Sequence, residues 1–359
     1  MSIQKIRAIQ YGCGKMSVYT MRFMLEKGID IVGAFDVDPR IVGKDISVVI
    51  GGPEIGVIIQ PPADVEDFLT EHKPDVCVVT TMSTLADIEE IFTICARTGV
   101  NAISTAEEAI YPWNSSPHIT EKLDALAKEN NCTLAGSGYP DMYWGVLVST
   151  LAGSMHNITK IKGTSSYNVE DYGIALAKGH GAGLTIEEFN NEVGVFNDLN
   201  SDEIAAKIIG GDIDPSYMWN QNGWLCSHLG LTPISQVQKC IPMTYETDLE
   251  SSTLDMTIKA GDATGMSAVV ITETAEGVTL ETQCIGKVYA PDEYDRNEWT
   301  FEGEPNVTIK VDQPDTVRLT CSTLVNRIPA LISAQAGYVS TDKLPNSRYL
   351  ATSIENYVN

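Results

Sequence analysis

The chain is poor in positive charge. Its 24 lysines and arginines face 48 aspartates and glutamates, for a formal charge of −24. A nucleic-acid partner needs a basic face, so the balance argues against one. It suits a cationic small molecule, whose approach a negative field favours, although solubility alone accounts for it too. No apolar run approaches the ~20 residues of a membrane span, so no membrane-spanning helix is expected. No basic-then-apolar segment opens the sequence, so no signal peptide is expected. The 8 cysteines form no C-x-x-C pair. Several fall in apolar stretches, and they read as buried thiols of a reducing cytoplasm rather than disulfides or zinc ligands. The 5 histidines show no metal-ligand spacing, so no metal is expected, and no serine–histidine–aspartate pattern presents itself.

At 359 residues, two domains are expected. The organising stretch is Ile6–Ser17, IRAIQYGCGKMS. An apolar run leads into Gly12-Cys13-Gly14, and a helix-compatible segment follows. This pattern is the first strand, turn and helix of a dinucleotide-binding unit. Gly12 permits the sharp turn. Gly14 lets a pyrophosphate approach the helix N-terminus, where free N–H groups and the helix dipole favour an anion. Ser17 takes the third glycine's place, where a small residue is needed. Cys13, Lys15 and Met16 complete the cofactor loop. The next strand, Ile29–Phe35, ends in Asp36, placed to accept hydrogen bonds from the adenine ribose and so to favour NAD over NADP. Arg40 and Lys44 just beyond it soften that preference.

Strand and helix then alternate through residue 135, which predicts a doubly wound parallel sheet. Asp64–His72 and Leu85–Thr98 read as helices, the latter stopped by Gly99. Residues 75–80 form a continuous apolar strand, of the kind buried on both faces. Ligands of such sheets sit at the strands' carboxyl ends. Four segments are therefore expected to converge: Gly12–Ser17, Thr80–Ser83, Ser104–Trp113 and Gly136–Tyr143. Thr80, Thr81, Met82 and Ser104 are candidate cofactor contacts. In the third segment Glu107 and Glu108 are adjacent, so one of them faces the cleft. A carboxylate among apolar and aromatic side chains has a raised pKa, as a general base near neutrality requires. In the fourth, Tyr139, Asp141 and Tyr143 are candidate substrate contacts.

From about Leu151 the composition shifts toward alternating Thr, Val, Ile and Glu with glycine turns, the pattern of a largely antiparallel sheet. Within that domain Asn168, Glu170 and His180 lie in a polar, glycine-containing stretch suited to reading a charged substrate. Thr316–Ala336 reads as a strand followed by a helix. The expected division is a dinucleotide-binding domain over 1–150, to which 322–359 returns, and a substrate and dimerisation domain over 151–321.

Four blocks in order, YGCGKMS, STAEEAIYPW, SYNVEDYGIALAKGHG and LVNRIPALISAQAGY, resemble the 2,4-diaminopentanoate dehydrogenase family, relatives of the native amine dehydrogenases. The resemblance spans essentially the whole chain. It implies a fold like dihydrodipicolinate reductase, a homodimer, and NAD(P)-dependent oxidation of the C4 amine of 2,4-diaminopentanoate in ornithine fermentation. The family's catalytic glutamate falls on Glu107-Glu108, and the match places it on Glu108 first and Glu107 second. Where related amine dehydrogenases carry Asn-Pro-Gly, this chain has Tyr139-Pro140-Asp141, and an added acid there would suit a second ammonium group. A simpler amine dehydrogenase and a dihydrodipicolinate reductase-like enzyme remain alternatives.

Overall fold

A computed structural model describes residues 5–358, the side chain of Ala175 excepted. The chain divides into two compact units, Met1–Val146 with Val317–Asn359, and Leu147–Thr316.

The first unit opens with β1 (Arg7–Tyr11), α1 (Lys15–Glu26), β2 (Asp30–Phe35), the single turn α2 (Ser47–Ile50) and β3 (Ile59–Gln60). It continues with α3 (Val65–His72), β4 (Val76–Val79), α4 (Leu85–Thr98), β5 (Asn101–Ser104), α5 (Pro117–Glu129) and β6 (Thr133–Gly136). All four residues of β4 are buried, because helices cover both faces of the sheet. Helix α4 shows how sequence sets an element. The Thr84 hydroxyl accepts from the Asp87 amide at its start, and Gly99 ends it in the left-handed conformation, φ 69°. Between these signals Leu85, Ile88, Phe92 and Cys95 recur at helical spacing and face the core.

The second unit runs through α6 (Leu147–Ala152), β7 (Asn157–Asn168), α7 (Ile174–Gly179), α8 (Ile186–Glu192), α9 (Ser201–Ile209) and α10 (Tyr217–Leu229). Then come β8 (Pro233–Thr244), a two-stranded ribbon of β9 (Leu249–Ser251) and β10 (Met256–Ile258), β11 (Ala263–Thr274), β12 (Thr279–Lys287), β13 (Arg296–Glu304) and β14 (Val307–Asp312). Its six-stranded sheet has the order β14-β13-β7-β12-β11-β8. Every pairing is antiparallel except β7 with β12. Leu280, Thr282, Cys284 and Gly286 alternate with half-buried neighbours along β12, so one sheet face is packed. Helix α10 is buried from Met218 through Cys226. Its Asn222 amide donates to the Thr272 hydroxyl at 3.0 Å and accepts from that of Thr282 at 2.8 Å.

The chain then enters α11 (Thr316–Ile332) and β15 (Gly337–Tyr338), which pairs with β6. The first sheet is thereby seven-stranded and parallel, in the order β15-β6-β5-β4-β1-β2-β3. The sequence reading put a strand before a helix in 316–336. The structure has the helix first and a short strand after it. Leu324, Val325, Ile328 and Leu331 sit at helical spacing in the core beside β1 and β4, and this burial overrides the β-branched start of the segment. All eight cysteines are buried, and none is in a disulfide among the described residues. Among the described residues no helix is long and apolar enough to cross a membrane.

Candidate active site

The loops after β1, β4, β5 and β6 leave neighbouring strands at one end of the first sheet, and hydrogen bonds stitch them together. The Thr80 hydroxyl donates to Gly12 O at 3.0 Å, Glu108 N to Ser83 O at 3.2 Å, and Ser137 N to Ser104 O at 2.9 Å.

Gly12 has φ 87°, and a Cβ there would lie 2.7 Å from Thr81 Cγ2 and 2.8 Å from Thr80 O. Only glycine fits. At Gly14 a Cβ would meet nothing within 4 Å. The protein itself gives no reason for glycine there, whereas close approach of a ligand's phosphates does. No side chain caps α1 and no acid lies in its first turn, so its N-terminal amides suit an anion. Ser17 is fully buried and donates to Gly14 O at 2.7 Å, filling the third glycine's position as expected. Lys15 is exposed and Met16 half-buried at the same end of α1. Cys13 N donates to Asp36 Oδ2 at 2.5 Å, and Asp38 N to Asp36 Oδ1 at 2.7 Å. Asp36 therefore ties the glycine loop to the chain after β2 and keeps lone pairs for a ribose. The Arg40 guanidinium clasps Asp38, with Nε 2.9 Å from both carboxylate oxygens.

The sequence reading missed Gln10. It lies fully buried in β1, donates to Gly12 O at 2.9 Å and to the Thr80 hydroxyl at 2.8 Å, and accepts from the Thr20 hydroxyl at 2.8 Å. A lone amide in an apolar strand was the available signal. Thr80 is thus committed to the loop. The Ser104 hydroxyl, fully buried, accepts from Ala106 N at 3.0 Å. Of the four expected cofactor contacts on β4 and β5, Thr81 and Met82 are the two exposed ones.

The two glutamates have different surroundings. Glu108 is buried, and its Oε2 accepts from Leu85 N at 2.6 Å, at the N-terminus of α4. Its Oε1 accepts from the Ser115 and Ser116 hydroxyls, each at 2.6 Å. Glu107 is half-buried, and burial pushes its carboxyl from 4.5 up to about 7 against weaker opposing hydrogen bonds from its own backbone and from Ser83. The turn carrying both is braced from below. Tyr338 donates to Ala109 O at 2.7 Å, and a Cβ on Gly136 would lie 2.3 Å from the Ala109 carbonyl carbon.

After β6 the chain enters a π-helical stretch, Pro140–Val146. Tyr139 and Tyr143 stack at 4.4 Å between ring centroids, with Trp144 edge-on to Tyr139. Asp141 is fully buried and takes a two-pronged ion pair from Arg327, Nε to Oδ2 at 2.8 Å and a terminal nitrogen to Oδ1 at 2.7 Å. The Ser137 hydroxyl adds a third donor at 2.8 Å. The expectation that Asp141 reads a substrate ammonium is therefore corrected: its charge is already neutralised inside the protein.

In the second unit, Asn168 Oδ1 accepts from Glu170 N at 3.2 Å, and Glu170 Oε1 accepts from the Ser251 hydroxyl at 2.9 Å and Thr253 N at 3.0 Å. Both serve local loop structure. His180 is buried, which holds it at about 4 and so neutral at pH 7. Its Nδ1 donates to Leu176 O at 2.8 Å, which leaves Nε2 to accept from the Tyr167 hydroxyl at 2.5 Å. Gly286 makes room: a Cβ there would lie 2.4 Å from the imidazole.

A glycine loop heading a doubly wound sheet, with an acid held near neutrality two strands along, defines a Rossmann-type dehydrogenase. Residues 143–359 match the family described as 2,4-diaminopentanoate dehydrogenase C-terminal domain. The chain belongs to that family, and it is an oxidoreductase acting on CH–NH2 groups. It is 25% identical to the 2,4-diaminopentanoate dehydrogenase of Acetoanaerobium sticklandii, over 96% of this chain and 95% of that one. An amine dehydrogenase structure from Mycobacterium smegmatis is 36% identical, with a TM-score of 0.87 over 97% of this chain and 98% of that one. An apo scyllo-inositol dehydrogenase from Lactobacillus casei shares the fold, at 13% identity and a TM-score of 0.55 over 95% of this chain and 93% of that one.

Proposed function

We propose that the protein oxidises the C4 amine of 2,4-diaminopentanoate to 2-amino-4-oxopentanoate and ammonium, with NAD as the preferred acceptor. The observation that carries this reading is Glu107, a carboxylic acid poised at about 7 at the carboxyl end of β5. Gly12, Cys13, Gly14 and the first turn of α1 would hold a dinucleotide's phosphates, and Asp36 its adenine ribose. When bound, the nicotinamide supplies the hydride acceptor. Asp36 supports NAD. NADP would need Arg40 to leave Asp38 for the extra phosphate.

Glu107 takes a proton from the C4 ammonium, which frees the nitrogen lone pair to drive departure of the C4 hydrogen. Once that proton has passed to solvent, Glu107 takes a proton from the water that attacks the iminium and returns it to the nitrogen, which leaves as ammonium. This assignment reverses the ranking reached from sequence, which put Glu108 first. Glu108 accepts three hydrogen bonds and braces the turn and the start of α4. A homodimer, cytoplasmic residence and a place in ornithine breakdown belong to the same reading.

The test is NADH formation from 2,4-diaminopentanoate by the purified protein and two variants. Glu107→Gln is expected to lower kcat by about 10²–10⁴-fold with NADH affinity unchanged. In the wild type, kcat/KM should fall as pH drops below about 7, where Glu107 becomes protonated. Glu108→Gln should lose thermal stability. Near-normal turnover by Glu107→Gln removes Glu107 as the base. The Mycobacterium relative supports a second reading, oxidation of simpler amines. A higher kcat/KM for 2-aminopentane than for the diamino acid would select it.

A further inference from the structure

The turn after β2 carries an ion pair that the packing of the first unit does not require. The turn reads Asp36-Val37-Asp38-Pro39-Arg40, and consecutive hydrogen bonds fold it tightly. Asp38 N donates to Asp36 Oδ1 at 2.7 Å, and Arg40 N donates to Asp38 Oδ1 at 2.8 Å. The Asp38 carbonyl then accepts from Ile41 N at 3.1 Å and from Val42 N at 3.0 Å. Pro39 fixes its own φ between the two charged residues. Asp38 and Arg40 are therefore presented together, with little backbone freedom left to lose when they pair. The grip uses two nitrogens: Nε lies 2.9 Å from each carboxylate oxygen, and a terminal nitrogen lies 2.6 Å from Oδ2.

The Arg40 side chain is 86% exposed, so it contributes almost nothing to the core. Its position is what matters. Asp36, the acid suited to the adenine ribose, is one hydrogen bond away from Asp38. In sites of this kind a nearby arginine accommodates a ribose 2′-phosphate. Arg40 is such an arginine, and Asp38 occupies it. The bonds from Arg40 hold the Asp38 carboxyl down from 3.8 to about 2, and the charge of exposed Lys44 adds to them. Asp36 alone repels a phosphate less than a bare carboxylate would, because each of its oxygens already accepts a backbone amide, from Cys13 or from Asp38. A 2′-phosphate arriving here meets two carboxylates and an arginine whose donors are engaged. Without the Asp38 charge it would meet one carboxylate and a released guanidinium, whose planar fork fits phosphate oxygens.

We propose that Asp38 is a cofactor-discriminating residue: by holding the Arg40 guanidinium it withholds the group that would bind a 2′-phosphate, and so excludes NADP beyond what Asp36 achieves. The assignment rests on the dinucleotide site and the NAD preference proposed above. Arg40 is then a phosphate-binding residue kept out of use, and one change at position 38 releases it.

Fluorescence titration with NADH and with NADPH tests this in the absence of any amine. The wild type is expected to bind NADPH about tenfold or more weakly than NADH. Asp38→Asn keeps an acceptor for Arg40 N but removes the charge that holds the guanidinium. It should tighten NADPH binding about tenfold, the low end for a hydrogen bond to a charged group, with NADH affinity within about twofold. Asp38→Ser is the second variant, with the same expectation. Arg40→Ala in the wild type should move NADPH affinity less than about twofold, because the arginine is already taken. Added to Asp38→Asn, the same change should erase the gain. A gain that survives loss of Arg40 would come from lost negative charge alone and overturn the proposal, as would the absence of a gain in both Asp38 variants. A tenfold loss of NADPH affinity in Arg40→Ala alone would show that Asp38 withholds nothing, and it overturns the proposal whether or not the Asp38 variants fold. The expected pattern without NADH formation from 2,4-diaminopentanoate would sink the proposed reaction and leave the role of Asp38 standing.

Discussion

Glu107 and Glu108 are neighbours in the chain and opposites in environment. Glu108 meets one backbone amide and two serine hydroxyls. Glu107 loses water without equivalent compensation, so its proton is held up to about 7. Between 4.5 and about 7 the folded protein keeps a proton that the unfolded chain has released. The resulting contribution to stability is complete below 4.5 and lost as pH rises through about 7. His180 acts in the opposite sense: burial lowers it from 6.5 to about 4, and stability is lost as pH falls through that window. Glu107→Gln isolates the first effect. In urea unfolding, variant and wild type should agree near pH 4, and the variant should be the more stable at pH 8. A constant difference across that range would mean that Glu107 ionises normally. None of the three donors to Glu108 could be read from its own segment alone, since Leu85 comes from another loop and the serines from the turn beyond. The pair of acids was legible in the sequence, and their division of labour was not.

Among elements, β1 with its loop shows how a strand prepares a binding surface. Gln10 donates to Gly12 O and so fixes the carbonyl of the loop's first glycine. Gln10→Leu would remove one of the two donors to Gly12 O and the nearer acceptor of the Thr20 hydroxyl, at about 1 kcal/mol each. Such a variant should bind NADH several-fold more weakly, read by fluorescence titration, with kcat at saturating NAD little changed. Unaltered NADH affinity would show that the loop keeps its shape without the amide. Elements of this kind were largely legible. Leu85–Thr98 carries its own start and stop signals, and the buried run of β4 announces a parallel sheet. The segment after Thr316 was misread because Thr-Val-Arg-Leu-Thr has strand-like local preferences, whereas four apolar side chains at helical spacing decide its packing. Asp141 was misread for a related reason. An acid after a strand suggests a ligand, and Arg327, its actual partner, lies 186 residues further on.

Over the whole molecule the formal charge of −24 should be felt by a substrate with two ammonium groups and one carboxylate. Raising ionic strength from 0.01 to 0.15 M shortens the screening length from about 30 to about 8 Å. The value of kcat/KM for 2,4-diaminopentanoate is then expected to fall several-fold, with kcat unchanged. Stopped-flow or initial-rate measurements over that salt range check this, and a flat response would confine the charge to solubility. The chain path carries one more consequence. The first unit closes only when α11 delivers Arg327 to Asp141 and β15 covers the edge of β6. A ribosome adding ~5–20 residues per second needs roughly ten to forty seconds to make the intervening 186 residues. Throughout that interval the emerging chain has an unpaired strand edge and an acid without its counter-ion, so the first unit cannot be completed until synthesis nears its end.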